Sequence, residues 1–235
     1  MIINLWSGPR NISTALMYSF ANREDVKVVD EPFYAHYLRL TGLDHPGKEE
    51  VLNTQSVDQN VVIQNVINKD YSEDILFVKN MAHHSEGLDL SFSEEMKNIF
   101  LLREPEQMIT SFIKQIPNPT LQDVAFKYQF DLLQSAIEKG DNPIVIDSKD
   151  LLQDPEKYLI KLCSKLDIPF SDKMLKWEKG AIEEDGIWAK YWYKSVHDST
   201  GFQPYVRKDE QVPERLKGLL EECNYYYSKL IKYKL

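Results

Sequence analysis

Residues Ile2-Ile3-Asn4-Leu5-Trp6-Ser7-Gly8-Pro9-Arg10-Asn11-Ile12-Ser13-Thr14-Ala15-Leu16 decide how this chain is read. Ile2 to Trp6 is an apolar run of buried-strand length, and Ala15 to Ala21 has the composition of a helix. Between them lies a turn of small and hydroxylated residues with one cation. A helix N-terminus offers unpaired N–H groups and about half a positive charge to an anion. Ser13 and Thr14 add hydroxyl donors, and the Arg10 guanidinium can fork onto two anionic oxygens. An ordinary strand–turn–helix entry with a surface arginine would look much the same. The turn is not a Walker A sequence, because G-x-x-x-x-G-K-[ST] is absent.

Further strand-like runs follow at Val26–Val29, Ile75–Val78, Ile99–Leu102 and Pro143–Ile146. Helices are expected over Ser56–Asn68, from Pro105 to about Lys114, over residues 121–139, from Pro155 to about Leu166, and over Glu214–Lys232. A short helix is expected at Ser171–Lys179. Alternating strands and helices predict an α/β fold, a three-layer parallel sheet with helices on both faces. Residues 34–54 are expected to be irregular or partly helical and to form a mobile lid. Residues 180–207 are expected to be irregular, and their aromatic segment from Trp188 to Phe202 reads either as core or as the lining of a pocket for acceptor or adenine.

With 235 residues, 43% of them hydrophobic, the chain is expected to form one domain over 1–235. A net charge of −9 argues against nucleic acid as the main partner but leaves a small anionic ligand open. Cys163 and Cys223 lack metal spacing and read as reduced thiols of a cytoplasmic protein. No signal peptide and no membrane-spanning run is visible. Arginines number six against 22 lysines, and two of them, Arg10 and Arg103, stand just past the ends of predicted strands. Open α/β sheets place their ligands there. Ser111, eight residues after Arg103, can converge with it on one anion.

Taken together, these motifs resemble the sulfotransferases that use 3′-phosphoadenosine 5′-phosphosulfate. Pro9-Arg10-Asn11-Ile12-Ser13-Thr14-Ala15-Leu16 lies over that family's P-R/K-S-G-T-T-L-L loop. Arg103, Pro105 and Ser111 match its second motif. Asp30-Glu31-Pro32-Phe33 and the strand-end Lys79 resemble two further segments. The likeness spans roughly residues 1–170. It implies a fold like that of P-loop nucleoside-triphosphate hydrolases, and sulfuryl transfer to a hydroxyl or amine of a small acceptor without a metal. By that resemblance, Gly8, Pro9, Arg10, Asn11, Ile12, Ser13 and Thr14 hold the 5′-phosphosulfate, and Arg103 and Ser111 the 3′-phosphate.

The chain also departs from the family. Ile12 replaces a glycine, so a left-handed backbone there would be strained. Asn11 replaces a serine, and Lys79-Asn80-Met81 lacks the histidine of Lys-Thr-His. No Arg-Lys-Gly loop is evident near the C-terminus; Ser199-Thr200-Gly201, with Arg207 or Lys194, is its candidate replacement.

Arg10 is the expected electrostatic stabiliser of the leaving oxygen. Glu31 is the first candidate base, at the end of a second strand expected to lie beside the first. His83 and His84 are its rivals and His36 a weaker one; a capping role for Asp30-Glu31 accounts for the same residues. A P-loop kinase or nucleotide hydrolase, and a non-catalytic nucleotide-binding protein of the same fold, remain alternative readings.

Overall fold

The computed structural model describes residues 1–235. Five strands form one parallel sheet: β1 (Ile2–Ser7), β2 (Val26–Asp30), β3 (Ile75–Met81), β4 (Lys97–Leu102) and β5 (Ile144–Asp147), in the order β2-β3-β1-β4-β5. The helices in chain order are α1 (Ser13–Ala21), α2 (Tyr34–Thr41), α3 (Lys48–Thr54), α4 (Gln59–Val62), α5 (Pro105–Phe112), α6 (Leu121–Val124), α7 (Phe126–Glu138), α8 (Ser148–Gln153), α9 (Pro155–Leu166), α10 (Ala189–Trp192), α11 (Lys194–His197) and α12 (Lys217–Leu230).

Strand alternation makes the three layers. Ile3, Leu5, Ile99, Leu101 and Ile146 point to one face, where Leu16, Phe20, Leu159 and Leu162 of α1 and α9 bury them. Trp6, Phe100, Leu102 and Val145 point to the other, against Met108, Ile109, Phe126 and Leu133 of α5 and α7. Successive side chains on a strand face opposite ways, and a parallel sheet covered on both faces needs apolar residues at both phases. One polar ladder crosses the second face: Asn80 Nδ2 donates to Asn4 Oδ1 at 2.8 Å and Asn4 Nδ2 to Asn98 Oδ1 at 3.0 Å. It ties the three central strands together through side chains.

The topology fixes where a ligand crevice opens. From β1 the chain runs over α1 toward the β2 edge, whereas from β4 it runs toward the β5 edge. Adjacent strands whose connections part in opposite directions leave a crevice at their carboxyl ends. The turns carrying Arg10 and Arg103 flank it.

Several expectations need correction. β3 lies between β2 and β1, so Glu31 is not beside the first strand but one strand further out. Residues 34–54 form no lid: α2 and α3 pack Tyr34, Tyr37, Leu38 and Val51 into the core. The helix expected over 121–139 breaks at Ala125, whose φ is 62°, and restarts as α7. The break sets the Val124 carbonyl 3.2 Å from where a Cβ on Gly8 would stand. Only Asp172–Leu175 of the expected 171–179 helix is helical, as one 3-10 turn, and 59–67 passes from α-helix into a π-turn. Cys163 and Cys223 are both free and buried. No helix is long and apolar enough to cross a membrane.

Candidate active site

A cavity of about 450 Å³ opens over the carboxyl ends of the strands. Its cationic end is built by the turns after β1 and β4. Both guanidiniums are half-buried, and neither is paired with a carboxylate. Arg103 Nη1 donates to the Arg10 carbonyl at 2.6 Å, and Arg10 Nε donates to Ser111 Oγ at 3.2 Å. Burial lowers the pKa of both groups, and Arg10 lowers Arg103 further, yet a guanidinium starts so high that both stay charged. Asp147 offsets part of the effect on Arg103, but with no carboxylate in salt-bridge reach of either group the two like charges facing one cavity favour an anion between them.

The turn itself is left-handed at Arg10 (φ 59°) and at Ile12 (φ 62°). Ile12 is the N-cap of α1 and supplies no capping side chain, so the first N–H groups of α1 are left for other partners. The expectation of strain at Ile12 is met: a β-branched residue at positive φ is costly, and functional sites are where such cost persists. What holds the turn is carboxamide chemistry. Asn11 Nδ2 donates to the Leu101 carbonyl at 2.9 Å, and Gln129 Nε2 of α7 donates to the same carbonyl at 2.8 Å. Pro9, Ser13 and Thr14 line the cavity with Arg10, Asn11 and Ile12. Gly8 does not; it is packed beneath, where a Cβ would stand 3.2 Å from Asn11 Nδ2.

At the other end sits a buried charge cluster from β2 and β3. Lys79 Nζ donates to Asp30 Oδ1 at 2.8 Å, to Tyr193 Oη at 2.7 Å and to Glu31 Oε1. Tyr193 Oη donates to Asp30 Oδ2 at 2.8 Å and accepts from Trp188 Nε1 at 3.1 Å. Burial raises the Glu31 carboxyl above its ordinary pKa; Lys79 opposes the rise and Asp30 adds to it. Burial pulls the Lys79 ammonium down, but Asp30 and Glu31 more than offset this, so it is raised and stays charged. Burial raises the Tyr193 phenol well up, Asp30 and Glu31 add to it, and the group stays protonated. Glu31 therefore stands in the cavity wall as the titratable member, at a φ of 43°.

His83 and His84 form a 3-10 turn after β3, and both line the cavity. Burial, with a contribution from His45, takes His83 down to about 3. Burial takes His84 well below its ordinary value, with His83, His45 and Lys79 adding to the shift. Both rings are neutral and weakly basic, which leaves Glu31 the better proton acceptor. His36 is off the cavity, between the carbonyls of Val57 (3.1 Å) and Glu86 (3.3 Å).

Of the segment expected to replace the C-terminal loop, Ser199 and Gly201 reach the cavity, and Gly201 is needed because a Cβ would stand 2.9 Å from the Leu175 carbonyl. Lys194 is paired with Asp198 at 2.6 Å, and Arg207 faces Glu106 at 3.5 Å and Glu104 at 3.6 Å; neither lines the cavity. Lys208 does, its backbone held by both ends of the Gln107 carboxamide. Asp30, Lys208 and Tyr193's place beside Lys79 escaped the sequence reading. Asp30 stood next to the residue chosen, whereas nothing near Tyr193 or Lys208 signals contact across more than a hundred residues. Trp188, Trp192 and Phe202 both pack against the core and line the cavity. No group of three or more His, Cys, Asp or Glu side chains is placed to hold a metal ion.

Fold and site together define an α/β protein with a five-stranded parallel sheet whose topological crevice presents two arginines outside any salt bridge. The family described as Sulfotransferase domain matches residues 1–228, and the chain belongs to it. Two Arabidopsis thaliana proteins, Branched-chain-amino-acid aminotransferase-like protein 2 and protein 1, are 37% and 39% identical over 230 residues, which are 97% of this chain and 41% of each of those proteins. This chain thus spans less than half the length of these relatives. Among solved structures, the sulfotransferase domain of the Synechococcus PCC 7002 olefin synthase gives a TM-score of 0.60 at 16% identity, covering 96% of this chain and 95% of that one. The sulfotransferase domain of the curacin biosynthetic pathway gives 0.58 at 18%, covering 97% and 96%. They share its fold.

Proposed function

We propose that residues 1–235 act as one domain that transfers a sulfuryl group from 3′-phosphoadenosine 5′-phosphosulfate to a small acceptor. The observation that carries this reading is the pair of half-buried guanidiniums, Arg103 donating to the Arg10 carbonyl and Arg10 to Ser111 Oγ, with neither in a salt bridge to a carboxylate. The uncapped start of α1 fits the same polyanion. When bound, this donor supplies an activated sulfuryl group on a phosphate leaving group.

Arg10, with Ser13, Thr14 and the N–H groups of α1, holds the phosphosulfate. Arg10 offsets the charge that develops on the leaving oxygen as the bond to sulfur breaks. Arg103 and Ser111 hold the second phosphate, and Arg103 also fixes the Arg10 backbone. Glu31, ionised, takes the proton of the acceptor; its raised pKa strengthens it as a base. Lys79 holds the Glu31 carboxylate in place and offsets one of the two negative charges of the buried acid pair. The left-handed Ile12 supports a working loop, since the turn already has the backbone that a glycine would take.

Calorimetric titration of adenosine 3′,5′-bisphosphate, with ATP–Mg as control, tests this on the native protein and on Arg103→Ala. Micromolar bisphosphate binding that the variant loses is the expected result. Binding of ATP–Mg in preference to the bisphosphate would replace this reading with a kinase or hydrolase.

A further inference from the structure

The hydrogen-bond donors around Asp30 and Glu31 fall unevenly on the two carboxylates. Lys79 carries three N–H donors. They go to Asp30 Oδ1 at 2.8 Å, to Tyr193 Oη at 2.7 Å and to Glu31 Oε1, so none is left over. A phenol has one proton and two lone pairs. The lone pairs of Tyr193 take the N–H groups of Lys79 and of Trp188, the latter at 3.1 Å. Its oxygen stands 2.8 Å from Asp30 Oδ2 and 3.3 Å from Glu31 Oε1, so the single proton goes to Asp30. The backbone N–H of Gly186 donates to Asp30 Oδ2 as well, at 3.2 Å.

Asp30 thus receives three donors, from Lys79, Tyr193 and Gly186, whereas Glu31 receives Lys79 at Oε1. Glu31 Oε2 has no donor in the protein: His84 Nδ1 is 3.8 Å away, beyond hydrogen-bond reach. The other titratable groups facing the pair carry no charge. Burial keeps the His84 ring neutral and the phenols of Tyr34, beside Glu31, and Tyr18, on the Asp30 side, protonated. Hydrogen bonds to the charged form of a carboxylate favour that form, so a proton offered to the pair settles on the member with fewer. Location matters equally. Glu31 lines the cavity and Asp30 does not, its side chain having no exposure. A proton on Asp30 would lie out of reach of anything in the cavity. Asp30 instead seats the chain from Gly186 to Tyr193 through those two residues.

We propose that Tyr193 is a positioning residue that directs the proton of the acid pair to Glu31 Oε2 rather than to Asp30. Its consequence for sulfuryl transfer rests on that reading. There the acceptor atom forms the new bond to sulfur, the bond from sulfur to the phosphate oxygen breaks, and the acceptor proton passes to Oε2. Tyr193 itself exchanges no proton, since burial keeps its phenol protonated.

The test reads protonation carboxyl by carboxyl on the free protein. Native protein and Tyr193→Phe, labelled with ¹³C at the Asp and Glu side-chain carboxyls, are titrated with acid by NMR, and Glu31→Gln and Asp30→Asn assign the two resonances. In the native protein Glu31 should hold the proton at least about ten times as often as Asp30, one pH unit between two groups. Tyr193→Phe deletes a hydrogen bond to a charged acceptor, so that preference should fall at least about tenfold, and the Asp30 carbon should move in the same step. A tyrosine that only packs would lower stability in urea and leave the proton where it was. A proton shared equally or held by Asp30 in the native protein, or an unchanged preference in Tyr193→Phe, overturns the proposal. If Tyr193→Phe fails to fold, 3-fluorotyrosine placed at position 193 keeps the shape and strengthens the donor. The preference for Glu31 should then rise, and an unchanged one overturns the proposal. Calorimetry with adenosine 3′,5′-bisphosphate on the same native sample judges the donor reading separately: absence of that binding overturns the donor and leaves the proton placement to be decided by the carboxyl titration.

Discussion

Replacing Lys79 with Met keeps the length of the side chain and removes the one cation among Asp30, Glu31 and Tyr193. Breaking a buried ion pair from one side costs about 3–5 kcal/mol, because the remaining charge is uncompensated. Here the cost has a ceiling, since a stranded carboxylate can take up a proton. With an unfolded-state pKa of about 4.3 and about 1.4 kcal/mol per pH unit, protonating one carboxyl costs about 4 kcal/mol at pH 7.5 and about 1 kcal/mol at pH 5. Burial already raises Glu31, and removing Lys79 takes away the influence that opposes the rise. The native variant thus binds a proton that its unfolded chain releases. The stability tied to that proton is fully present below the unfolded pKa and is lost as pH rises through the raised native one. Urea unfolding should show Lys79→Met less stable than the native protein by about 4 kcal/mol at pH 7.5, narrowing to about 1 kcal/mol at pH 5. A total stability of about 5–15 kcal/mol leaves the variant folded. Adding Glu31→Gln to Lys79→Met should recover stability, with a coupling of about 1–3 kcal/mol between the two positions. A loss below about 1 kcal/mol at pH 7.5, or a gap unchanged at pH 5, would refute the view that Lys79 neutralises a buried acid pair.

Arg103→Ala should weaken adenosine 3′,5′-bisphosphate by a factor of at least about a hundred, since it removes a charge-assisted contact and frees the Arg10 backbone; Ser111→Ala should lose less. At position 12 the usual order of Gly and Ala should invert. A left-handed backbone costs Ala about 1–2 kcal/mol and the entropy of Gly costs about 0.5–1 kcal/mol, so Ile12→Gly should be more stable in urea than Ile12→Ala by up to about 1.5 kcal/mol. Glu31→Gln should lower the transfer rate by about 10²–10⁴ with bisphosphate affinity kept, and the acid limb of the native rate profile should lie above the ordinary carboxylate range. Gln129→Leu, at a residue that does not line the cavity, should loosen the Asn11 turn and weaken bisphosphate binding without changing acceptor preference, as competition titrations would show.

The cationic half of the site was legible because it lies on two short continuous segments, each a strand end followed by a helix start. Arg10 with Ser13 and Thr14, and Arg103 with Ser111, could be read from local spacing alone. The acidic half was legible only in part. Glu31 was found at a strand end, but its neighbour in space is Lys79 and not the first turn, because strand order is a non-local property. The break at Ala125 was hidden by a helical apolar spacing that runs through it. Tertiary contact with Gly8 and the Leu101 carbonyl overrides that spacing. The stretch 34–54 reads as a lid because Asp44-His45-Pro46-Gly47 interrupts it, yet Tyr34, Tyr37 and Val51 bind its helices to the core.

Strand order also explains why one cavity holds two opposed electrical environments. With β3 between β2 and β1, the carboxylates of β2 meet the lysine of β3 before they can meet Arg10. If β2 lay beside β1, Glu31 would be available to pair with Arg10, and neither group could then serve an anionic donor or an acceptor proton. Lys79 therefore does two things at once: it stabilises the buried acids, and it keeps them from neutralising the arginines one strand away. The same separation suits an in-line displacement, in which the group that takes the proton and the group that steadies the leaving oxygen must stand on opposite sides of the transferred centre. On this argument the Lys79→Met variant should lose more than stability. With its lysine gone, Glu31 keeps its proton until the pH exceeds its raised pKa; above that pH the carboxylate is free to turn toward Arg10, and bisphosphate affinity in the variant should fall as pH rises although no residue at the arginine end has changed. Restoring that affinity by adding Glu31→Gln would identify the misdirected carboxylate as the cause.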